Sequence, residues 1–396
     1  MLSASWSKPL NATEDWMNGG FGLYIHWPFC QAKCPYCDFN SHVVNSIDHQ
    51  RWTKAYLSEI DRIADETQGR VLNSVFFGGG TPSMMHPDTI AAIIEKLKSR
   101  WSCANDLEIT LEANPTSVEA GRFKGYRDGG VSRISMGIQS LRDEPLRLLG
   151  RLHSVAEAKQ AFDIARKTFD RISFDLIYAR QYQTADDWKA ELSEALAMSV
   201  DHLSLYQLTV EDGTAFGTRF AAGKLPGLPS EDLGAELYEI TQEFCEQAGM
   251  PAYEVSNHAS DMAWSRHNLI YWRYGDYAGI GPGAHGRLTL NNQRMATTTP
   301  LAPTEWLKRV EEFGNGEDPR ELIKAKDQAL EALLMGLRLS EGVSIRRIET
   351  IFNGILDPSK LEYLGDLGLI SIDQDRLQVS PKGRPVLNGV LRELTA

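Results

Sequence analysis

From residue 21 onward, short apolar segments alternate with longer amphipathic ones. The segments 22–27, 74–77, 108–111, 133–137, 172–177 and 202–209 are rich in β-branched and aromatic residues and end in turn chemistry, so each predicts a strand. Between them, 48–67, 87–100, 117–128, 154–168 and 184–198 predict helices. In the last of these, Trp188, Leu192, Ala195, Leu196 and Val200 recur at helical spacing, and Asp48 and Pro87 suit helix starts. Six strand–helix units imply parallel strands joined by crossover helices. The fold class is therefore α/β, a full or partial (β/α) barrel, although a doubly wound open sheet shares the local pattern. Polar residues favour the barrel. Three cysteines follow the first strand, Gly78–Gly80 follow the second, Glu112 closes the third, Gln139 follows the fourth and Asp175 lies in the fifth. Barrel enzymes build their sites at these C-terminal strand ends.

Four regions result: an N-terminal arm over 1–20, the barrel with its closing strands over 21–300, a connector over 301–326, and a small C-terminal domain over 327–396. The stretch 251–290 is rich in Gly, Tyr, Trp and His and reads as strands and loops closing the barrel's side. The C-terminal part shows helices in AKDQALEALLMGLRL, SIRRIETIF and KLEYLGDLG, a strand pair at 369–372 and 377–379, and a helix after Pro381. That order resembles a winged helix, read here as a structural accessory.

Composition narrows the function. Lys+Arg 41 against Asp+Glu 53 gives a net charge of -12, a poor basis for neutralising phosphates, so no nucleic-acid partner is expected. No run of about 18 apolar residues predicts a membrane-spanning helix. The opening MLSASWSKPLNATEDW has no basic start followed by an apolar core, which points to the cytoplasm. Of five cysteines, Cys30, Cys34 and Cys37 fall within eight residues, while Cys103 and Cys245 stand alone. In a reducing compartment such a crowd reads as a metal or redox site before a disulfide.

Thiolates are soft ligands that suit zinc and iron–sulfur clusters, and a structural zinc site takes four ligands. Three cysteines are local here, which leaves zinc with a distant fourth ligand, or unliganded thiols, as the bland alternatives. Three thiolates on a four-iron cluster leave one iron open to an amine and a carboxylate. S-adenosylmethionine offers both, and electron transfer into its sulfonium releases a 5′-deoxyadenosyl radical. Gly78, Gly79, Gly80, Thr81 and Pro82 follow a strand, and their missing side chains let backbone amides approach a ligand. Glu112 is a carboxylate in an apolar strand and requires a partner, either a nearby arginine or a ligand's ammonium or ribose. Gln139, Arg151 and Asp175 are polar groups at strand ends or just beyond.

The C-x3-C-x2-C spacing, with Tyr36 before the last cysteine, resembles the radical-SAM superfamily. The stretches YIHWPFCQAKCPYCDFNS, FFGGGTPS, LEANP, RISMGIQS, LGRLHS, FDLIY, LSLYQLT and HNLIYWRYGDYAGIGPGAHG resemble one branch, the oxygen-independent coproporphyrinogen III oxidases and the HemW-type heme chaperones. The resemblance runs from about Leu23 to the C-terminus. It implies a 4Fe-4S cluster on Cys30, Cys34 and Cys37, and S-adenosylmethionine contacts at Tyr24, Gly79, Gly80, Thr81, Glu112, Gln139, Arg151, Asp175 and Gln207, with Tyr36 beside the cluster. The oxidases carry a further cysteine two residues after the third cluster cysteine, where this chain has Phe39, and a longer N-terminal region. CDFNS and HNLIYW instead look like the chaperone branch. That implies heme as cargo, with His267 as an iron ligand and Tyr271 and Trp272 against the porphyrin. A histidine hydrogen-bonded on a packed aromatic strand is the alternative. The branch further implies heme delivery to apo-hemoproteins such as respiratory enzymes at the inner membrane, an electron donor that the sequence does not name, a homodimer as one assembly, and no coproporphyrinogen oxidation. One stretch departs from the family: after FDLIY the usual pattern is Gly or Ala, one residue, then Pro-Gly-Gln-Thr, whereas this chain has Ala179-Arg180-Gln181-Tyr182-Gln183-Thr184, and losing Pro-Gly changes the loop next to Asp175.

Overall fold

The computed structural model describes residues 14–395. Most of the expected N-terminal arm, residues 1–13, lies outside that range. Its end forms a single turn, Asp15–Asn18, whose Trp16 is buried 4.3 Å beneath the Arg70 guanidinium.

Six parallel strands form the barrel wall: β1 (Phe21–Trp27), β2 (Val71–Gly79), β3 (Ser102–Ala113), β4 (Arg133–Gln139), β5 (Arg171–Tyr178) and β6 (His202–Gln207). Crossover helices α1 (His49–Glu66), α2 (Pro87–Arg100), α3 (Phe123–Asp128), α4 (Val155–Thr168) and α5 (Ala185–Met198) follow the first five, and α6 (Glu231–Gln247) follows β6. Asp48, Ser154 and Thr184 cap helices with their side chains, and the last two form full capping boxes. Such caps satisfy amides that the helix cannot satisfy itself.

Strand alternation sorts the residues. Leu23, Ile25, Val75, Phe77, Ile109, Leu111, Ile134, Met136 and Phe174 join helical residues such as Ile60, Ile93 and Phe162 in one core. Tyr24, Phe76, Glu112 and Asp175 take the opposite faces, toward the lumen.

The sheet continues past the six strands. β7 (Asn257–Ala259) pairs antiparallel with β6 at one end. At the other, β8 (Asp276–Ile280) lies parallel to β1, and β9 (His285–Leu290), β10 (Gln293–Thr298) and β11 (Glu321–Leu322) follow antiparallel. The order β11-β10-β9-β8-β1-β2-β3-β4-β5-β6-β7 has two ends among the described residues, so the barrel is partial.

Two expectations change. The stretch read as closing strands and loops contains a helix, α7 (Arg266–Trp272), capped by Ser265, whose side chain accepts from Asn268 N. Its aromatic and β-branched content favours strand locally, but the cap and an i,i+4 contact between His267 and Tyr271 win. The expected connector contains α8 (Pro303–Phe313), whose Trp306 is fully buried and stacks on Trp52 at 5.6 Å within the barrel core.

The C-terminal part runs α9 (Ala325–Gly336), β12 (Val343–Ser344), α10 (Ile345–Phe352), α11 (Pro358–Asp366), β13 (Ile370–Asp373), β14 (Arg376–Val379) and α12 (Leu387–Thr395). Its sheet order, β12-β14-β13, is that of a winged helix. Strand β12, two residues long, is too short to leave a sequence pattern. This unit has its own core around Leu333, Leu337, Leu364, Leu377 and Val390. Ion pairs fasten it to the barrel: Arg273–Glu341 at 2.8 Å, Arg287–Glu331 at 2.9 Å and Arg347–Asp15 at 2.7 Å. Among the described residues, no helix is long and apolar enough to cross a membrane.

Candidate cluster and ligand site

Strand register sets the site. Trp27 lies opposite Gly79, so the cysteine loop leaving β1 and the glycines ending β2 emerge side by side. Phe29–Cys30 pairs with His42–Val43 as a short parallel ribbon, closing the cysteine loop at its base. Within the loop Cys37 N donates to Cys34 O at 3.2 Å. Pro35 is clamped from two sides. Its carbonyl accepts from Phe216 N at 2.8 Å, and it rests on Gly150, where an added Cβ would meet Pro35 Cδ at 2.6 Å.

The three thiols lie in one electrostatic neighbourhood. Burial pushes the Cys37 thiol up to about 11, and repulsion from Cys34 and Cys30 adds to it. Burial raises Cys30 as well, against a hydrogen bond from Thr81 Oγ1 at 3.3 Å. Arg151 Nη1 donates to Cys34 Sγ at 3.4 Å. Among the described residues, no three His, Cys, Asp or Glu side chains converge as ligands of one ion. A cubane cluster takes one cysteine per iron, which requires thiols that are near but separate.

The glycine shelf is built by exclusion. Gly79 has φ +109°, and a Cβ there would meet His26 Cε1 at 2.6 Å. A Cβ on Gly80 would meet Phe29 O at 2.8 Å and Cys30 Sγ at 3.1 Å. His26 is held between Tyr24 OH and Asn40 O, both at 2.9 Å, and burial pushes its imidazole down to about 4, so it is neutral.

Across the lumen stand two carboxylates. Burial, chiefly, pushes Glu112 up to about 8, with Asp175 repelling it and the Gly79 amide hydrogen-bonding to it. Burial pushes Asp175 up to about 6, opposed by the Gln139 amide that donates to it and by Arg151. Arg151 is fixed by Asn114 Oδ1 at 2.7 Å and Gly137 O at 2.8 Å. Gln139 reaches Asp175 from a left-handed backbone, φ 69°, at the end of β4. Thus Tyr24, Gly79, Gly80, Thr81, Glu112, Gln139, Arg151 and Asp175 gather around the cysteine loop. Tyr36 packs edge-on against Phe216 at 6.3 Å. Gln207 ends β6 exposed, beside Gly234, apart from this group.

Residues 24–195 match the Radical SAM superfamily, and residues 323–386 match the HemN C-terminal domain. A zebrafish (Danio rerio) protein called radical S-adenosyl methionine domain-containing protein 1, mitochondrial, is 40% identical over 81% of this chain and 73% of its own. Heme chaperone HemW of Escherichia coli is 35% identical over 93% of this chain and 96% of its own. The chain belongs to the HemW family of radical SAM proteins. Membership of that superfamily implies a 4Fe-4S cluster and S-adenosylmethionine, and the donor set fits both. A solved coproporphyrinogen III oxidase (HemN) from E. coli superposes with a TM-score of 0.79 over 95% of this chain and 90% of its own. At 23% identity, that likeness speaks for the fold alone.

The HNLIYW segment of this HemW-family chain forms helix α7, not a strand. His267 is 1% exposed, with Nδ1 2.7 Å from Ser74 Oγ and Nε2 2.7 Å from Tyr271 OH. Burial pushes its imidazole down to about 3. Both ring nitrogens are occupied, so the ring is held structurally in this conformation. Tyr271 and Trp272 instead line a cavity of about 710 Å³ between the barrel mouth and α9, together with His285, Arg287 and Met335. Sequence reasoning singled out none of these last three. GPGAHG places His285 after a glycine turn, a signal that is weak without its neighbours.

The altered loop after β5 is firmly held. Arg180 forms a buried ion pair with Glu191 of α5, and Glu191 also accepts from Ser140 Oγ and Leu141 N, each at 2.7 Å. Gln181 Nε2 donates to Pro226 O, and Tyr182 N to Gly227 O, both at 2.6 Å. One side-chain and one backbone anchor thus stand where the family usually has Pro-Gly.

Proposed function

We propose that this chain is a heme carrier whose barrel holds a 4Fe-4S cluster and S-adenosylmethionine, and that it passes heme to apo-hemoproteins such as respiratory enzymes. Cys30, Cys34 and Cys37 would ligate three irons. The fourth would take the amine and carboxylate of the methionine end, with Gly79, Gly80 and Thr81 as its shelf. Tyr24, Gln139 and Arg151 complete the proposed contacts, and Tyr36 shields the cluster; the exposed Gln207 is not among them. One observation carries the cofactor assignment: Glu112 and Asp175 face the lumen beside the thiols, and neither is ion-paired to a described lysine or arginine. Beyond the Gly79 and Gln139 amides, these carboxylates have lone pairs open to cationic or hydroxyl partners, and an aminoacyl sulfonium nucleoside offers ammonium, sulfonium and ribose diol. When bound, the cluster and nucleoside supply one-electron chemistry.

The heme assignment rests on relatives named heme chaperones at 32–36% identity over 93% of this chain. It also rests on Phe39 at the position where the oxidases hold a further cysteine. A cytoplasmic carrier, at the periphery of the inner membrane when delivering heme and able to form a homodimer, is consistent with that role. The test combines anaerobic reconstitution, iron and sulfide counting, and a hemin titration on one sample. A cluster with four irons and a hemin-dependent Soret band is expected. Zinc at the thiols would remove the cofactor assignment, and protoporphyrinogen formed from coproporphyrinogen would replace the carrier role with an oxidase.

A further inference from the structure

The structure assigns the heme iron ligand to His285, in the cavity between the barrel mouth and the C-terminal domain, rather than to His267; this rests on the carrier reading above. An axial ligand must present an unengaged ring nitrogen. Two histidines line the cavity, His26 and His285. Both nitrogens of His26 are occupied, by Tyr24 and by the Asn40 carbonyl. His267 does not line the cavity, and Ser74 and Tyr271 occupy its nitrogens. The His285 side chain is exposed at the start of β9, and no hydrogen bond or ion pair to a described residue engages its ring.

The cavity's lining suits a tetrapyrrole, and it shares Tyr24, Gly79 and Glu112 with the proposed S-adenosylmethionine site. Its volume, about 710 Å³, falls within the ~300–1,000 Å³ of ordinary ligand pockets. His285 and Arg287 alternate along β9 and so share one face, while Glu331 and Met335 lie one turn apart on α9. The bidentate Arg287–Glu331 pair, 2.9 Å, ties those two faces together. His285 and Met335 therefore open into the same space from opposite walls. Tyr271, Trp272 and Tyr277 supply aromatic surface. At the rim, Lys33 of the cysteine loop has no ion-pair partner among the described residues and suits a propionate. The α9 wall belongs to the C-terminal domain, so this site exists only while the two domains stay docked.

The decisive experiment titrates hemin into the reconstituted full chain as wild type, H285A and H267A, following the Soret band, with iron-free protoporphyrin IX as a parallel probe. For H285A, hemin should bind about tenfold more weakly or worse, with a displaced Soret band that added imidazole restores. Protoporphyrin affinity should stay within about twofold, which also reports that the cavity is folded. H267A should keep the wild-type band position. Wild-type affinity and band in H285A would overturn the assignment while leaving the carrier reading intact. If the wild type itself shows no hemin-dependent band, the carrier reading fails and takes the assignment with it.

Discussion

Replacing Gly80 with alanine tests how the cluster loop is held. The added Cβ would stand 2.8 Å from Phe29 O, 3.0 Å from Phe29 C and 3.1 Å from Cys30 Sγ, against an ordinary contact of at least 3.4 Å. The nearest atoms are backbone, and that backbone is pinned. Gly80 N donates to Trp27 O at 2.7 Å and Thr81 N to Phe29 O at 2.9 Å. Opening the contact means stretching one or both bonds, each worth ~0.5–1.5 kcal/mol, so a destabilisation of about 1–3 kcal/mol is expected, comparable to other overpacking costs. The larger effect falls on Cys30, which the displaced strand end carries directly. Iron and sulfide per chain should drop well below wild type after anaerobic reconstitution and a chelator challenge, with urea unfolding giving the stability change. Gly365→Ala is the control. That helical glycine has nothing within 4 Å of its Cβ position, and alanine there should be neutral or stabilising by about 0.5–1 kcal/mol. Full cluster content and unchanged stability in Gly80→Ala would refute the idea that glycine packing positions Cys30.

Three further outcomes follow from the same geometry. Arg180→Ala leaves Glu191, 1% exposed, as a buried charge without its cation; urea unfolding should show a loss of about 3–5 kcal/mol, and a loss under about 1 kcal/mol would mean the loop is held by other contacts. Glu112 and Asp175 hold protons in the ligand-free fold that the unfolded chain has already released, so stability should fall as pH rises from their ordinary values toward about 6 for Asp175 and about 8 for Glu112. A cationic ligand reverses that preference. S-adenosylmethionine binding near pH 7 should release about one proton, measurable by calorimetry in buffers of different ionisation enthalpy, and Glu112→Gln should abolish most of the release; no release in the wild type would place the ligand's cation elsewhere. Arg347→Ala removes a bidentate pair to Asp15 and a bond to Arg273 O at 2.9 Å. Limited proteolysis should then cut between barrel and C-terminal domain sooner, and an unchanged pattern would show that the remaining ion pairs suffice.

The sequence by itself determined what depends on neighbours a few residues away. Strand–helix alternation, the caps at Asp48, Ser154 and Thr184, three thiols in one loop and a glycine run at a strand end are all short-range, and each stands close to where spacing and propensity put it. Most of the winged-helix order was legible too, apart from the two-residue β12. Tertiary structure decided what depends on partners far along the chain. His267 looks like an open ligand in HNLIYW; a serine 193 residues away and a tyrosine one turn on close it. Arg180 looks like a disrupted loop until Glu191 pairs with it. His285 becomes a candidate only when α9, joined through Arg287 and Glu331, builds the opposite wall. Propensity acts through the local backbone, whereas burial and hydrogen-bond satisfaction are properties of the packed whole, so whether a polar side chain is engaged or open to a ligand is settled only when distant segments meet.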